Sequence, residues 1–293
     1  MSIHKPTLFN GVATALITPF RDGEIDFEAF GHLIECQIAA GVSALLVAGT
    51  TGENATLSDE EQHALVSFAR KSIGNRVPLI AGCGSNSTEH AIRLASAACE
   101  AGADALLAVT PYYNKASDRG LVLHFTAIAD RATKPLILYH VPSRTGTRIS
   151  MEVYRTLAKH ENIVGVKEAS GDLALLESLC AECSDMLDVY AGNDDQTVAA
   201  YKLGGAGVIS VYSNLAPREM CEICRLCAGG DFRAAAQRLR TNLPKINALF
   251  REVNPIPVKY VASLLSLCAP EYRLPLCQPS AETARALKSL FLP

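Results

Sequence analysis

The sequence predicts an α/β protein, a (β/α)8 TIM barrel with a helical C-terminal appendage. Three observations point there. A short apolar run followed by a longer amphipathic stretch repeats eight times, as strands alternating with helices around a parallel sheet require. Several runs are apolar at consecutive rather than alternate positions, the mark of strands covered on both faces. The eight units occupy about 230 residues, close to the roughly 250 typical of a single α/β barrel. A doubly wound open sheet is the second choice.

In chain order the strand-like runs are Val12 to Thr18, Ala44 to Ala48, Pro78 to Gly82, Ala105 to Thr110, Leu136 to His140, Ile163 to Lys167, Asp188 to Ala191 and Gly207 to Val211. Between them, Asp26 to Ala40, Ser58 to Ile73, Ser87 to Glu100 and Gly120 to Arg131 carry apolar residues at helical spacing. Ser58-Asp-Glu-Glu61 has the serine and the carboxylate three residues on that form a capping box. After Val211 the strand signal stops. From about Pro217 the chain reads as helices broken by Gly229-Gly230, Pro255 and Pro257. The reading therefore assigns residues 1–230 to the barrel and 231–293 to a helical region.

With 293 residues, 49% hydrophobic and 19% charged, the chain can bury a large core and lacks the composition of a disordered segment. Net charge is -3 with no long run of one sign, which argues against nucleic acid or an anionic membrane and for a small-molecule partner. The N-terminus has no apolar signal-like core and no apolar stretch approaches about 18 residues, so a cytoplasmic protein is expected. Ten dispersed cysteines in a reducing compartment should serve mostly as small buried apolar residues. Cys180/Cys183 and Cys221/Cys224/Cys227 have zinc-knuckle spacing, but they lie in helical-pattern stretches without turn glycines, so no metal is expected. Gly82-Cys-Gly-Ser-Asn-Ser87 begins like a dinucleotide fingerprint but has serine where the third glycine belongs.

In a barrel, chemistry sits where strands end and βα loops begin. Here those ends are Gly49-Thr-Thr-Gly-Glu53, Thr110-Pro-Tyr-Tyr-Asn114, Tyr139-His-Val-Pro-Ser-Arg-Thr-Gly146, Lys167 and Gly192-Asn-Asp-Asp195. The apolar run before Lys167 carries it into the barrel mouth, where desolvation disfavours the ammonium form. A neutral amine there can attack a ketone and form an imine, which makes an adjacent methyl acidic. The alternative is a strand-end lysine that snorkels to water and pairs with Glu168. Tyr139 is placed to move protons, or it is a core tyrosine with a satisfied hydroxyl. The Gly49 to Gly52 loop can face its amides and hydroxyls to a carboxylate, or it is an ordinary glycine turn. Arg144 has the planar fork for a second carboxylate, or it is solvated. Gly192 is a further candidate for substrate binding. What favours the functional readings is that an amine, a proton shuttle, two anion sites and the Tyr112-Tyr113 pair all fall on predicted strand ends.

At these residues nearly the whole chain resembles the dihydrodipicolinate synthase family, within the pyruvate-dependent class I aldolase and lyase superfamily that also holds N-acetylneuraminate lyase. The motifs are Gly49-Thr-Thr-Gly-Glu53, Thr110-Pro-Tyr-Tyr-Asn114, Tyr139 with Val141-Pro-Ser-Arg144, Gly165-Val-Lys-Glu168, Gly207-Val-Ile-Ser210 and Asn254-Pro-Ile-Pro-Val-Lys259. The resemblance implies that Lys167 forms a Schiff base with pyruvate, that Tyr139 donates and accepts protons, and that Thr50 and Tyr113 complete a relay. It implies that Tyr113 reaches the site of an adjacent subunit, so that a dimer is the smallest competent unit and a homotetramer usual. Thr51 and Ile209 would hold pyruvate, and Arg144 the carboxylate of L-aspartate 4-semialdehyde. No cofactor is implied beyond the substrate bound covalently to Lys167. The rival readings are a sister lyase for N-acetylneuraminate or a 2-keto-3-deoxy sugar acid, and a barrel that binds a keto acid without turnover.

The chain departs from the family pattern at His140, where asparagine is usual, and at Asn193, where aspartate is frequent. In the region of the family's lysine-feedback site, Asn86 and Tyr112 remain. His90 replaces a glutamate there, and Asp59 and Gln62 stand where histidines occur in feedback-sensitive members. An α-ammonium group thereby loses its carboxylate partner. Inhibition by L-lysine is therefore expected to be weak or absent in a steady-state assay, and half-inhibition at submillimolar L-lysine would contradict this.

Overall fold

The computed structural model of the chain describes residues 5–292. Eight strands, β1 (Gly11–Ala15), β2 (Ala44–Val47), β3 (Leu79–Gly82), β4 (Ala105–Val109), β5 (Leu136–His140), β6 (Ile163–Glu168), β7 (Asp188–Ala191) and β8 (Gly207–Ser210), close into a barrel in sequence order. Every pairing is parallel, and β1 closes the ring through Val12 opposite Val208 and Ala13 opposite Ala44. The expected strands are all present, with ends that differ by at most three residues.

Helices α1 (Phe27–Ala40), α2 (Asp59–Ile73), α3 (Thr88–Glu100), α4 (Asp118–Arg131), α5 (Met151–Leu157), α6 (Leu173–Cys183), α7 (Thr197–Lys202) and α8 (Pro217–Ala228) follow the strands. The capping box of α2 forms as expected: Ser58 accepts from the Glu61 amide and Glu61 accepts from the Ser58 amide. A two-stranded hairpin, Phe20–Arg21 with Glu24–Ile25, follows β1. It was not foreseen, because strands of two residues are too short to show a period. Arg21 in this hairpin bonds Asp26, the N-cap of α1, at 2.7 Å.

Alternate residues of each strand face opposite ways. Val12, Leu45, Leu106, Leu138 and Val166 meet the helices, whereas Ala13, Leu46, Leu107, Ile137, Tyr139 and Ile209 fill the barrel interior. Phe9 closes the floor, stacked on Tyr190 with ring centroids 4.2 Å apart. Three further helices, α9 (Phe232–Ala248), α10 (Ile256–Leu264) and α11 (Ala281–Phe291), complete the chain. Helix α9 lies along α7 and α8, and α11 packs on α9 and α10.

Between α3 and α4, His124 is buried with Nδ1 2.9 Å from the Thr88 hydroxyl and Nε2 without a partner among the described residues. Burial pushes its pKa down to about 4. Below pH 6.5 the unfolded chain therefore takes up a proton that the folded protein refuses until about pH 4. Stability should fall as pH drops through this window, and His124→Gln should remove roughly 3 kcal/mol of the loss between pH 7 and pH 4. Denaturant melts of both proteins across that range check it, and parallel pH profiles would contradict it.

Candidate active site

Lys167 owes its direction to an irregularity in β6. Leu136 pairs with Ile163, but Ile137 pairs with Gly165, so Val164 is an extra residue without a partner on β5. Such a bulge shifts the alternation of side chains by one. Without it Val166 would face the barrel interior and Lys167 the helices; with it Lys167 stands inside, beside Tyr139 on β5 and Tyr190 on β7. Glycine is needed at 165, because a Cβ there would lie 2.9 Å from the Asp188 carbonyl. Lys167 is only 4% exposed, and its Nζ lies 4.5 Å from the centre of the Tyr139 ring.

No carboxylate lies within ion-pair distance of Lys167 among the described residues. Glu168 faces the other way and is fully engaged. It accepts from His140 Nδ1 at 2.8 Å, from the Tyr154 hydroxyl at 3.2 Å and from the Ser170 amide at 2.6 Å. The Ile149 amide donates to His140 Nε2 at 3.2 Å, so the ring proton sits on Nδ1 and goes to Glu168. The pairing of Lys167 with Glu168 that the sequence left open is not formed. Asp194 is the charge that Lys167 influences. It is buried after β7 and accepts from Ser210 Oγ at 2.5 Å and from the amides of Val211 and Tyr212 at 3.0 Å each. Burial raises its pKa, and those hydrogen bonds and the charge of Lys167 oppose the rise.

Above Tyr139 opens a cavity of about 210 Å³ lined by Gly49, Thr50, Gly84, Leu107, Tyr112 and Arg144, among others. The loop Gly49–Glu53 is wound tightly: the amides of Gly52 and Asn54 both bond the Gly49 carbonyl, and that of Glu53 bonds the Thr50 carbonyl. The amides of Thr50 and Thr51 have no partner among the described residues, which leaves two adjacent donors for an anion. The phenol oxygen of Tyr139 likewise has no hydrogen-bond partner among them. The mouth of the barrel thus combines an amine, a free phenol and a small anion cradle.

The helical region fastens this loop. Lys259 of α10 donates to Glu53 at 2.5 Å with both side chains sealed from water, and its Nζ lies 4.0 Å from the centre of the Phe20 ring. Burial lowers the Lys259 pKa and the Glu53 charge opposes that. Asn254 donates from Nδ2 to Thr51 Oγ1 at 3.0 Å, and its backbone carbonyl accepts from Arg144 at 2.8 Å.

The chain matches the model of the dihydrodipicolinate synthetase family over residues 8–291. It is 42% identical over 283 residues to a 4-hydroxy-tetrahydrodipicolinate synthase of Clostridium novyi, covering 97% of this chain and 96% of the relative. The chain belongs to the dihydrodipicolinate synthetase family. Among solved structures, a dihydrodipicolinate synthase of Acinetobacter baumannii in complex with pyruvate superposes with a TM-score of 0.94, 39% identity and 97% coverage of both chains. A monomeric dihydrodipicolinate synthase variant superposes at 0.95 with 39% identity, over 97% of this chain and 96% of that one.

Of the residues expected at this family member's site, Thr50, Tyr139 and Arg144 line the cavity. Lys167 lies against Tyr139, and Thr51 is buried with its hydroxyl bonded to Asn254. Ile209 is buried in the barrel interior on β8. Gly192 does not line the cavity: a Cβ there would sit 2.5 Å from Ala169 Cβ, so its glycine serves the close approach of β6 and β7. Tyr113 also stands apart from this cavity, 92% exposed, with a positive φ of 68° that a bulky side chain seldom adopts. No local pattern assigned a role to Asp194, or to Asn254, Lys259 and Glu53 as a group. Their partners are up to 206 residues away along the chain, beyond the reach of any local pattern.

Proposed function

We propose that this chain condenses pyruvate with L-aspartate 4-semialdehyde to give 4-hydroxy-tetrahydrodipicolinate, the activity carried in the names of its relatives. The observation that supports this best is the amine of Lys167, turned inward by the β6 bulge to lie against Tyr139 and without a carboxylate partner among the described residues. In this reading the Thr50 and Thr51 amides hold the carboxylate of pyruvate, with Ile209 behind the substrate. The Lys167 amine attacks the ketone and water leaves, forming an imine. Loss of a methyl proton gives an enamine, whose carbon attacks the aldehyde; Tyr139 moves the protons that these steps release and require. The amino group of the semialdehyde then attacks the imine carbon, closes the ring and releases the lysine amine. The imine itself is the electron sink, so the sequence of steps needs no metal or cofactor.

Arg144 would take the carboxylate of the semialdehyde, and its bond to the Asn254 carbonyl supports the side chain at the cavity rim. Tyr113 would join Thr50 and Tyr139 in the proton relay of a neighbouring copy. Its exposure and strained backbone in the single chain support that placement, and a dimer is then the smallest complete unit, with a tetramer of two such pairs. The reaction would run in the cytoplasm, in lysine and diaminopimelate biosynthesis; no helix among the described residues is long and apolar enough to cross a membrane.

A coupled assay with pyruvate and aspartate semialdehyde, run beside a sialic acid cleavage assay, tests the reading. Turnover is expected in the first alone. Lys167→Ala should lose several orders of magnitude, because the covalent route is deleted, and Tyr139→Phe about 10²-fold or more. Arg144→Ala should impair use of the semialdehyde. Near-normal kcat at Lys167 or Tyr139, or intact semialdehyde turnover without Arg144, would overturn the assigned roles.

A further inference from the structure

Asn254 lies outside the barrel strands, in the turn between α9 and α10, yet its side chain is buried against the substrate loop. Its Nδ2 donates to Thr51 Oγ1 at 3.0 Å, while its Oδ1 is buried with no partner among the described residues. A buried amide with one end unsatisfied disfavours folding. A residue kept for packing alone would be better apolar. The hydrogen bond has a direction with chemical consequences. Because the amide donates, the Thr51 oxygen is the acceptor, and its own hydroxyl hydrogen must point elsewhere. It has no acceptor among the described residues. That hydrogen therefore adds a third donor beside the unpartnered amides of Thr50 and Thr51.

We propose that Asn254 is a positioning residue that fixes the Thr51 hydroxyl as a donor to the carboxylate of the keto acid. The inference rests on the pyruvate reading above and adds to it that the helical region sets the polarity of the anion cradle. The backbone of the same residue accepts from Arg144, so one position outside the barrel touches both substrate subsites, its side chain serving one and its main chain the other. The nearby Lys259 to Glu53 ion pair holds the segment in register with the loop.

This division of labour separates the proposal from a merely structural role. Asn254→Ala removes the side-chain donor and leaves the carbonyl that holds Arg144. The KM for pyruvate should rise about 10-fold, the scale of one hydrogen bond to a charged group, while the KM for aspartate semialdehyde and kcat change little. In a Thr51→Val background the same substitution should have no further effect on the pyruvate KM, because Asn254 acts through that hydroxyl. Asn254→Asp keeps the shape, but its carboxylate can only accept; it would turn the hydroxyl away and should raise the pyruvate KM more than alanine does. It also serves should the alanine variant fail to fold.

An unchanged pyruvate KM in folded variants would overturn the proposal. So would equal rises for both substrates, or effects of Asn254→Ala and Thr51→Val that multiply. Wild-type protein that does not condense the two substrates would instead defeat the functional reading itself.

Discussion

A lysine amine held almost wholly out of water, with no carboxylate within ion-pair distance among the described residues, is costly to a folded protein, and the barrel is arranged around keeping Lys167 in that state. One extra residue in β6 turns it inward, and a glycine beside the bulge makes room for the turn. The carboxylate next in sequence points to the opposite face by the alternation of the strand and is engaged there by His140, Tyr154 and the Ser170 amide. His140 thus occupies one of the Glu168 carboxylate oxygens on the face away from the amine. Asp194, the buried acid that Lys167 does influence, is bound by three donors of the β8 end rather than by the lysine.

The second constraint is that the anion cradle is a loop, and loops move unless something holds them. Here the holder is the helical region. A sealed ion pair, Lys259 with Glu53, and the Asn254 bond to Thr51 cross from α10 and the turn before it to the loop after β2. Arg273 adds a two-pronged contact to Glu61 of α2, at 2.6 and 2.7 Å. A buried ion pair contributes little net stability, but removing one partner strands a charge, so it specifies one arrangement strictly. The helical region therefore contributes to the site as well as to the outer packing.

The sequence revealed the barrel because its evidence is local and repeated: eight apolar runs, helical spacing between them, and a capping box at Ser58 that forms as read. The residues gathered at the barrel mouth were legible where they fall at strand ends, as Thr50, Tyr139, Arg144 and Lys167 do. Those whose identity answers to distant partners were not. Asn254 stood in a visible motif, but its hydrogen bond spans 203 residues. The tight packing of Gly192 against Ala169 likewise shows only in three dimensions. The β6 bulge left no trace either, since Ile163-Val-Gly-Val166 reads as an unbroken apolar strand.

The central claim is that the inward-facing amine of residue 167 bonds covalently to a keto acid. Reduction of the protein with sodium borohydride in the presence of pyruvate, followed by peptide mass analysis, tests it directly. A stable mass increase confined to the peptide that carries Lys167 is the predicted result. No adduct, or an adduct on a different lysine, would contradict it.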